Sequence, residues 1–307
     1  MQKIRIRSSF LYLYILASVI VSFPGCKEPQ RSTSSPDRIK VVASIYPLSD
    51  FVRNVGGERV EVFTLLPPAA SPHLYSPAPR DLARVQGAKL FVKIGLGFEF
   101  WAEDLARAIA GKSLTEVDTS EGVVVLQKSG HDHTIGNPHI WLDPVIAAEQ
   151  VKRIKEALIR IDPNHQSEYE MNTSAYLKQI NSLDLEIRDT IKQLKNRSFV
   201  AFHPSWSYFA KRYGLTEEDV IEKSPGREPT PSEIIEIIRK IRLTGVKVIF
   251  AELQSNPKAA HVIASEVGAE ILVLDPIGSP DREERSTYLK LMRYNLAVIQ
   301  KGMQGEF

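Results

Sequence analysis

The sequence predicts an α/β fold of two lobes, each a parallel sheet flanked by helices, joined by one long rigid helix. Three observations predict it. Short apolar, β-branched runs alternate with longer amphipathic runs along most of the chain, which is the pattern of strands and crossover helices in parallel sheets. The alternation runs through both halves of the sequence. Between the halves, residues 166–195 carry an apolar stripe at helical spacing that no Gly or Pro interrupts.

In chain order, residues 1–25 read as an address rather than as structure. Lys3, Arg5 and Arg7 give a basic start, residues 10–23 are mostly apolar, and the small Gly25 precedes Cys26. This is the layout of a secretory signal peptide. The apolar stretch, about 14 residues, is too short to span a bilayer in the usual way. Cys26 is the only cysteine, so no intrachain disulfide forms. It is either an incidental thiol or a lipid attachment site. Phe23-Pro24-Gly25-Cys26 resembles a bacterial lipobox, with Phe23 in place of the usual Leu. Acyl chains on Cys26 would hold the protein to a membrane without spanning it. Residues 26–38, rich in Ser, Pro, Gln and charge, suit a flexible lipidated tether.

The first lobe is expected over residues 39–165, with strands at 40–43, 60–65, 90–94 and 123–126 and helices at 98–110 and 144–161. The connecting helix follows at 166–196. Tyr169, Tyr176, Ile180, Leu183, Ile187, Ile191 and Leu194 form its buried stripe, and Asp162-Pro163-Asn164 supplies its start signal. At 1.5 Å per residue such a helix is roughly 45 Å long, a stiff strut that leaves little hinge motion between the lobes. The second lobe, residues 197–307, has expected strands at 199–202, 246–251 and 270–274, a shorter run at 219–221, and helices at 231–243 and 256–267.

Composition narrows the function. The chain has 39 Lys+Arg against 37 Asp+Glu, and three of the basic residues fall in the first 25, so the remainder is close to neutral. No block of like charge stands out, which excludes nucleic acid as a partner. A hydrophobic share of 43% is ordinary for a globular chain.

Four side chains carry the chemistry. His73, His139, His203 and Asp275 each sit beside a proline, in Ser71-Pro72-His73, Asn137-Pro138-His139, His203-Pro204 and Asp275-Pro276. His203 and Asp275 directly follow expected strands, and loops at the carboxyl ends of parallel strands are where open α/β folds bind ligands. Three imidazoles and one carboxylate complete a tetrahedral shell for a borderline-soft cation such as zinc. Each residue alone has a plainer reading: a surface loop for His73, a packed turn for His139, a satisfied core histidine for His203 and an Asx turn for Asp275. Together they point to metal binding. His131-Asp132-His133 reads as an auxiliary metal-capture loop or as a solvated polar loop, while His165 and His261 read as exposed polar positions.

Other chemistries lack their motifs. Gly95-Leu96-Gly97 has Phe100 where a dinucleotide fingerprint needs its third glycine, and Gly111-Lys112-Ser113 has Ala106 where a phosphate loop needs its first. Neither HExxH nor G-x-S-x-G occurs. A zinc metallohydrolase is the enzymatic alternative, with Glu252 as its candidate base, because three histidines and a carboxylate can also carry an activated water. A non-enzymatic receptor is the expected class.

Nearly the whole chain after the address resembles the cluster A metal-binding receptors, the solute-binding lipoproteins of bacterial ABC importers for zinc and manganese. The resemblance is carried by Ser71-Pro72-His73-Leu74-Tyr75-Ser76-Pro77, Asn137-Pro138-His139-Ile140-Trp141-Leu142-Asp143-Pro144, Phe202-His203-Pro204-Ser205-Trp206, Gly226-Arg227-Glu228-Pro229-Thr230-Pro231 and Leu274-Asp275-Pro276-Ile277-Gly278. It implies metal in the cleft between the lobes, with His73 and His139 from the first lobe and His203 and Asp275 from the second. It also implies delivery to an ABC permease and its ATPase by a monomer outside the cytoplasm, anchored to the membrane through Cys26. Ser71 and Ser76 replace two acids of the family pattern. His at position 203, where manganese-type members carry a carboxylate, makes zinc the expected cargo and manganese the alternative.

Overall fold

The computed structural model describes residues 38–101, 114–126, 136–224, 226–254 and 258–304. The expected signal peptide, the tether with Cys26, most of the expected helix 98–110, and His131 and His133 lie outside the described residues.

Among the described residues, eight parallel strands form two sheets of identical plan. In the first, β1 (Ile39–Ala43), β2 (Val60–Thr64), β3 (Leu90–Lys93) and β4 (Thr115–Asp118) take the order β2-β1-β3-β4. In the second, β5 (Ser198–Ala201), β6 (Thr216–Val220), β7 (Val248–Glu252) and β8 (Glu270–Leu274) take the order β6-β5-β7-β8. The central strands are apolar because both faces are covered by helices. Val41, Val42, Ala43, Leu90, Phe91, Val92, Val200, Ala201, Ile249 and Phe250 are all buried. Strand order reverses between β1 and β3 and between β5 and β7, and a crevice opens beyond the carboxyl ends of strands at such a point.

Two edge strands differ from expectation for one reason. The expected strand at 123–126 is irregular chain, and Thr115–Asp118 pairs with β3 in its place, from Leu90↔Thr115 to Lys93↔Asp118. Likewise β6 begins at Thr216, ahead of the apolar run expected at 219–221. An edge strand has one neighbour and polar side chains suit its outer side, so Thr-Glu-Val-Asp and Thr-Glu-Glu-Asp-Val serve as strands without an apolar signature. Val123-Val124-Val125-Leu126 leaves Val124 exposed, and single hydrogen bonds hold the segment. Leu126 N–H donates to the Tyr208 hydroxyl (3.0 Å), and its carbonyl accepts from Asn137 N–H (2.8 Å).

Among the described residues the helices are α1 (Tyr46–Gly56), α2 (Pro79–Val85), α3 (Pro144–Ile161), α4 (Gln166–Lys192), α5 (Ser207–Tyr213), α6 (Pro231–Thr244), α7 (Lys258–Val267) and α8 (Tyr288–Gln304). The predicted strut is α4. Its 27 residues span roughly 40 Å, and a 3-10 turn at Pro163–His165 leads into it. Its buried face comprises Tyr169, Thr173, Tyr176, Ile180, Leu183, Ile187 and Ile191, so the stripe read from the sequence is the packed face. It lies against α1 and α3 of the first half and α5 and α8 of the second. One apolar core runs through both halves, from Leu48 and Phe51 through Trp141 and Ile180 to Phe209, Tyr288 and Leu296. At its centre the Asp50 carboxylate accepts from Tyr176 Oη (2.9 Å) and from Tyr288 N–H (3.0 Å). That tie joins α1, α4 and α8, and close packing of this kind resists shear.

Candidate metal centre

The three histidines predicted from widely separated loops meet at one point. His73 stands on the segment between β2 and α2, His139 on the turn that leads into α3, and His203 directly beyond β5. His73 Nε2 lies 3.3 Å from His139 Nε2 and 3.1 Å from His203 Nε2. Among the described residues they form a group whose ligand atoms all lie within 4.8 Å of one another. Zinc–nitrogen bonds of about 2.0–2.1 Å in a tetrahedron place neighbouring nitrogens roughly 3.3–3.4 Å apart, so these spacings suit ligands of one shared cation. They line a cavity of about 230 Å³ together with Trp141, Glu222, Glu228, Glu252, Pro276 and Ile277.

Each imidazole is oriented by its surroundings. His139 is buried, and Asn137 Oδ1 lies 2.8 Å from its Nδ1 and 3.0 Å from its backbone N–H. Asn137 Nδ2 donates to the Pro204 carbonyl (2.7 Å), which fixes the amide and leaves Oδ1 to accept. His139 therefore carries its proton on Nδ1 and turns the Nε2 lone pair toward the other two rings. A partner on the second ring nitrogen is how metal-binding histidines are set. The same asparagine accepts a bond from Tyr208 Oη on its own carbonyl (2.8 Å), so it ties the first half to the loop that holds His203. For His203, the Glu222 carboxylate lies 3.8 Å from Nδ1. Phe98 packs edge-on to His73 with ring centroids 5.3 Å apart, and Trp141 lies at the same distance from His139. Trp141 Nε1 in turn donates to the Pro276 carbonyl of the opposite half (2.7 Å).

Asp275 is placed differently. It follows β8 as expected and is buried, but it is not in the histidine group. Its Oδ1 accepts from the backbone N–H groups of Ile277 (3.0 Å) and Gly278 (2.9 Å), the Asx turn of the plain reading. Its Oδ2 accepts from Arg285 Nη1 (2.9 Å). Both oxygens are engaged.

The second half brings further acid to the cavity. Burial pushes the Glu252 carboxyl up to about 8, with Glu222, Asp275 and Glu217 raising it further and the nearby Ser205 opposing. Burial likewise raises Glu222.

Asn137, Glu222 and Arg285 are the contacts of the candidate residues that sequence reasoning missed. Asn137 had a signal, two residues before a candidate ligand. Glu222 and Arg285 had none, since only the fold brings them to His203 and Asp275. The motif at 226–231 proves to be a helix start: Thr230 and Glu233 form a reciprocal capping box at the N-terminus of α6, and Glu233 also pairs with Arg227.

Two rigidly joined sheets that meet around converging imidazoles are the frame of a solute-binding protein for a metal ion. Comparison with known families agrees: residues 41–302 match the family described as ZnuA, zinc-uptake complex component A, periplasmic. The chain belongs to that family of ABC uptake components, whose members are extracytoplasmic solute-binding proteins and not enzymes. It is 28% identical over 308 residues to the high-affinity zinc uptake system protein ZnuA of Bacillus subtilis, covering 95% of this chain and 97% of that protein. A zinc-bound deletion mutant of ZnuA superposes with a TM-score of 0.79 at 32% identity, over 88% of this chain and 100% of the other. A manganese-bound periplasmic metal binding protein from candidatus liberibacter asiaticus gives 0.77 at 25% identity, over 87% and 100%.

Proposed function

We propose that this protein captures zinc outside the cytoplasm through His73, His139 and His203 and passes it to an ABC permease driven by a cytoplasmic ATPase. The observation that carries the proposal is the convergence of three Nε2 atoms from three loops onto one point. Neutral nitrogens favour zinc over harder cations, and zinc is content with four ligands. In this reading the fourth position is exchangeable, which suits a cargo that must be released. Residues 39–165 and 197–307 are the lobes and 166–196 the strut. Cys26 carries the lipid anchor, His131 and His133 assist capture, and the protein acts as a monomer. Manganese is the second reading, favoured by the manganese-bound relative; in both readings Asp275 is the carboxylate proposed to complete the shell.

The test is metal analysis of the purified chain after chelation, with zinc and manganese offered together. One zinc per chain, held in preference to manganese, is the expected result. Affinity should fall as pH drops through the reference histidine value of about 6.5, because ligation needs neutral imidazole. Manganese retained against equal zinc would transfer the assignment to manganese, and no stoichiometric metal would end it.

A further inference from the structure

We infer that Glu99, a buried carboxylate outside the histidine cavity, is a positioning residue for the metal site. It holds the loop 95–97 in shape, and that loop sets Phe98 against His73 and His139. The inference rests on the three imidazoles being the metal site. The loop follows the carboxyl end of β3, and Gly95, Leu96 and Gly97 have φ of +86°, +53° and +71°. Glycine adopts such angles freely, but a leucine there is strained, so the surroundings must hold the segment. On one side the loop presses against β4, where a Cβ at Gly95 would overlap the Asp118 carboxylate.

Glu99 supplies the hold from the other side. Its side chain is buried, and Oε1 accepts from Ile94 N–H (2.7 Å) while Oε2 accepts from Gly95 N–H (3.0 Å). Phe98 N–H closes the turn on the Gly95 carbonyl (3.0 Å). A buried carboxylate is costly unless its oxygens are bonded, and both of these oxygens bond the backbone where the loop begins. The glycine pair that fails as a dinucleotide fingerprint has its use here.

The loop delivers one side chain to the metal site. Phe98 is 3% exposed, and its ring centroid lies 5.3 Å from that of His73, 6.0 Å from His139 and 5.3 Å from Trp141. It is a wedge shared by two of the three imidazoles. His139 is also aimed by Asn137, whereas His73 stands on a proline-studded segment, where the aim of the ring depends on what it packs against. Close-packed side chains pass a displacement on to their neighbours, so a loop that drifts takes Phe98 and His73 with it.

The test compares the full chain with Glu99→Gln, Phe98→Leu, the pair Glu99→Gln with Leu96→Gly, and His139→Ala, with Leu96→Gly alone as the reference for the pair. Each is stripped of metal and titrated with zinc against a chromophoric chelator. Each is also loaded with cobalt, whose visible bands report ligand geometry. Gln offers one acceptor oxygen where Glu offers two, so Glu99→Gln should lose about tenfold in zinc affinity and shift the cobalt bands. Adding Leu96→Gly should recover most of that loss, because glycine needs no hold to stay left-handed; two unconnected effects would simply add. Phe98→Leu removes the wedge itself and should also lose about tenfold. Parent zinc affinity and parent cobalt bands in Glu99→Gln, with only the melting temperature lowered, would make Glu99 a merely structural residue and overturn the inference. Absence of recovery in the pair would overturn it too. If Glu99→Gln does not fold, Phe98→Leu decides, and parent affinity there overturns the inference. Zinc retained undiminished in His139→Ala would instead defeat the site reading, whatever the other variants do.

Discussion

The two sheets share one strand plan, yet they arm the cleft differently. The first half supplies His73 and His139, both nitrogen donors, steadied by Phe98, Trp141 and the neutral amide of Asn137. The second half supplies one nitrogen, His203, and surrounds it with acid: Glu222, Glu228 and Glu252 on the cavity wall and Asp275 behind Pro276. A shared scaffold thus leaves the ligand chemistry to the loops beyond the strands. The first half brings mainly neutral donors to the cavity, and the second brings most of its acid.

The comparison breaks most readily at the ligands. His203→Ala should lower zinc affinity by more than the roughly 10–100-fold that surrounding residues are worth, with unchanged circular dichroism, as measured by chelator competition. Equal affinity would mean that the first half binds alone.

The neutral support of the first half is the next lever. Asn137→Ala should weaken zinc binding about tenfold or more, because His139 loses the acceptor that sets its tautomer. Asn137→Asp retains an acceptor while losing the donor to Pro204, so recovery in that variant assigns the effect to the imidazole, and failure assigns it to the bond between halves.

The acid of the second half predicts a pH effect on the metal-free protein. Glu252 is raised from 4.5 to about 8 in the fold, so between those values the folded state holds a proton that the unfolded chain has released. The stability this gives is fully present below about 4.5 and is lost as pH rises toward 8. The melting temperature of the parent should therefore fall from pH 5 to pH 8 relative to that of Glu252→Gln, as read by calorimetry. Parallel curves would show that the carboxyl is ionised throughout.

The smallest effect lies at the start of α6, beside the loop that carries Glu228. Thr230→Ala removes a capping side chain and should cost about 1 kcal/mol in denaturant unfolding. Zinc affinity should not change, and a change there would mean that the 226–231 loop acts on the site directly.

Much of this was legible in the sequence, where physics leaves a periodic or paired trace. The stripe from Tyr169 to Ile191 announced α4 because a helix lying on a core must repeat its apolar residues. The three histidines were legible because each stands at a proline-marked loop. The edge strands were not: β4 and β6 bury so little that polar residues suffice, and the apolar run at 123–126 drew attention away from Thr115–Asp118. The engagement of Asp275 was hidden as well. Nothing local says that Arg285 turns back onto it, since the 3-10 turn Glu283–Arg285 and α8 must both form before the pair can exist.

The central claim is that one metal is shared by His73, His139 and His203. A crystal structure of the zinc-loaded chain, with anomalous data at the zinc edge, tests it directly. The account predicts one strong peak about 2.0–2.1 Å from the Nε2 atoms of all three residues. A peak elsewhere, or one ligated by fewer than three of these imidazoles, would contradict it.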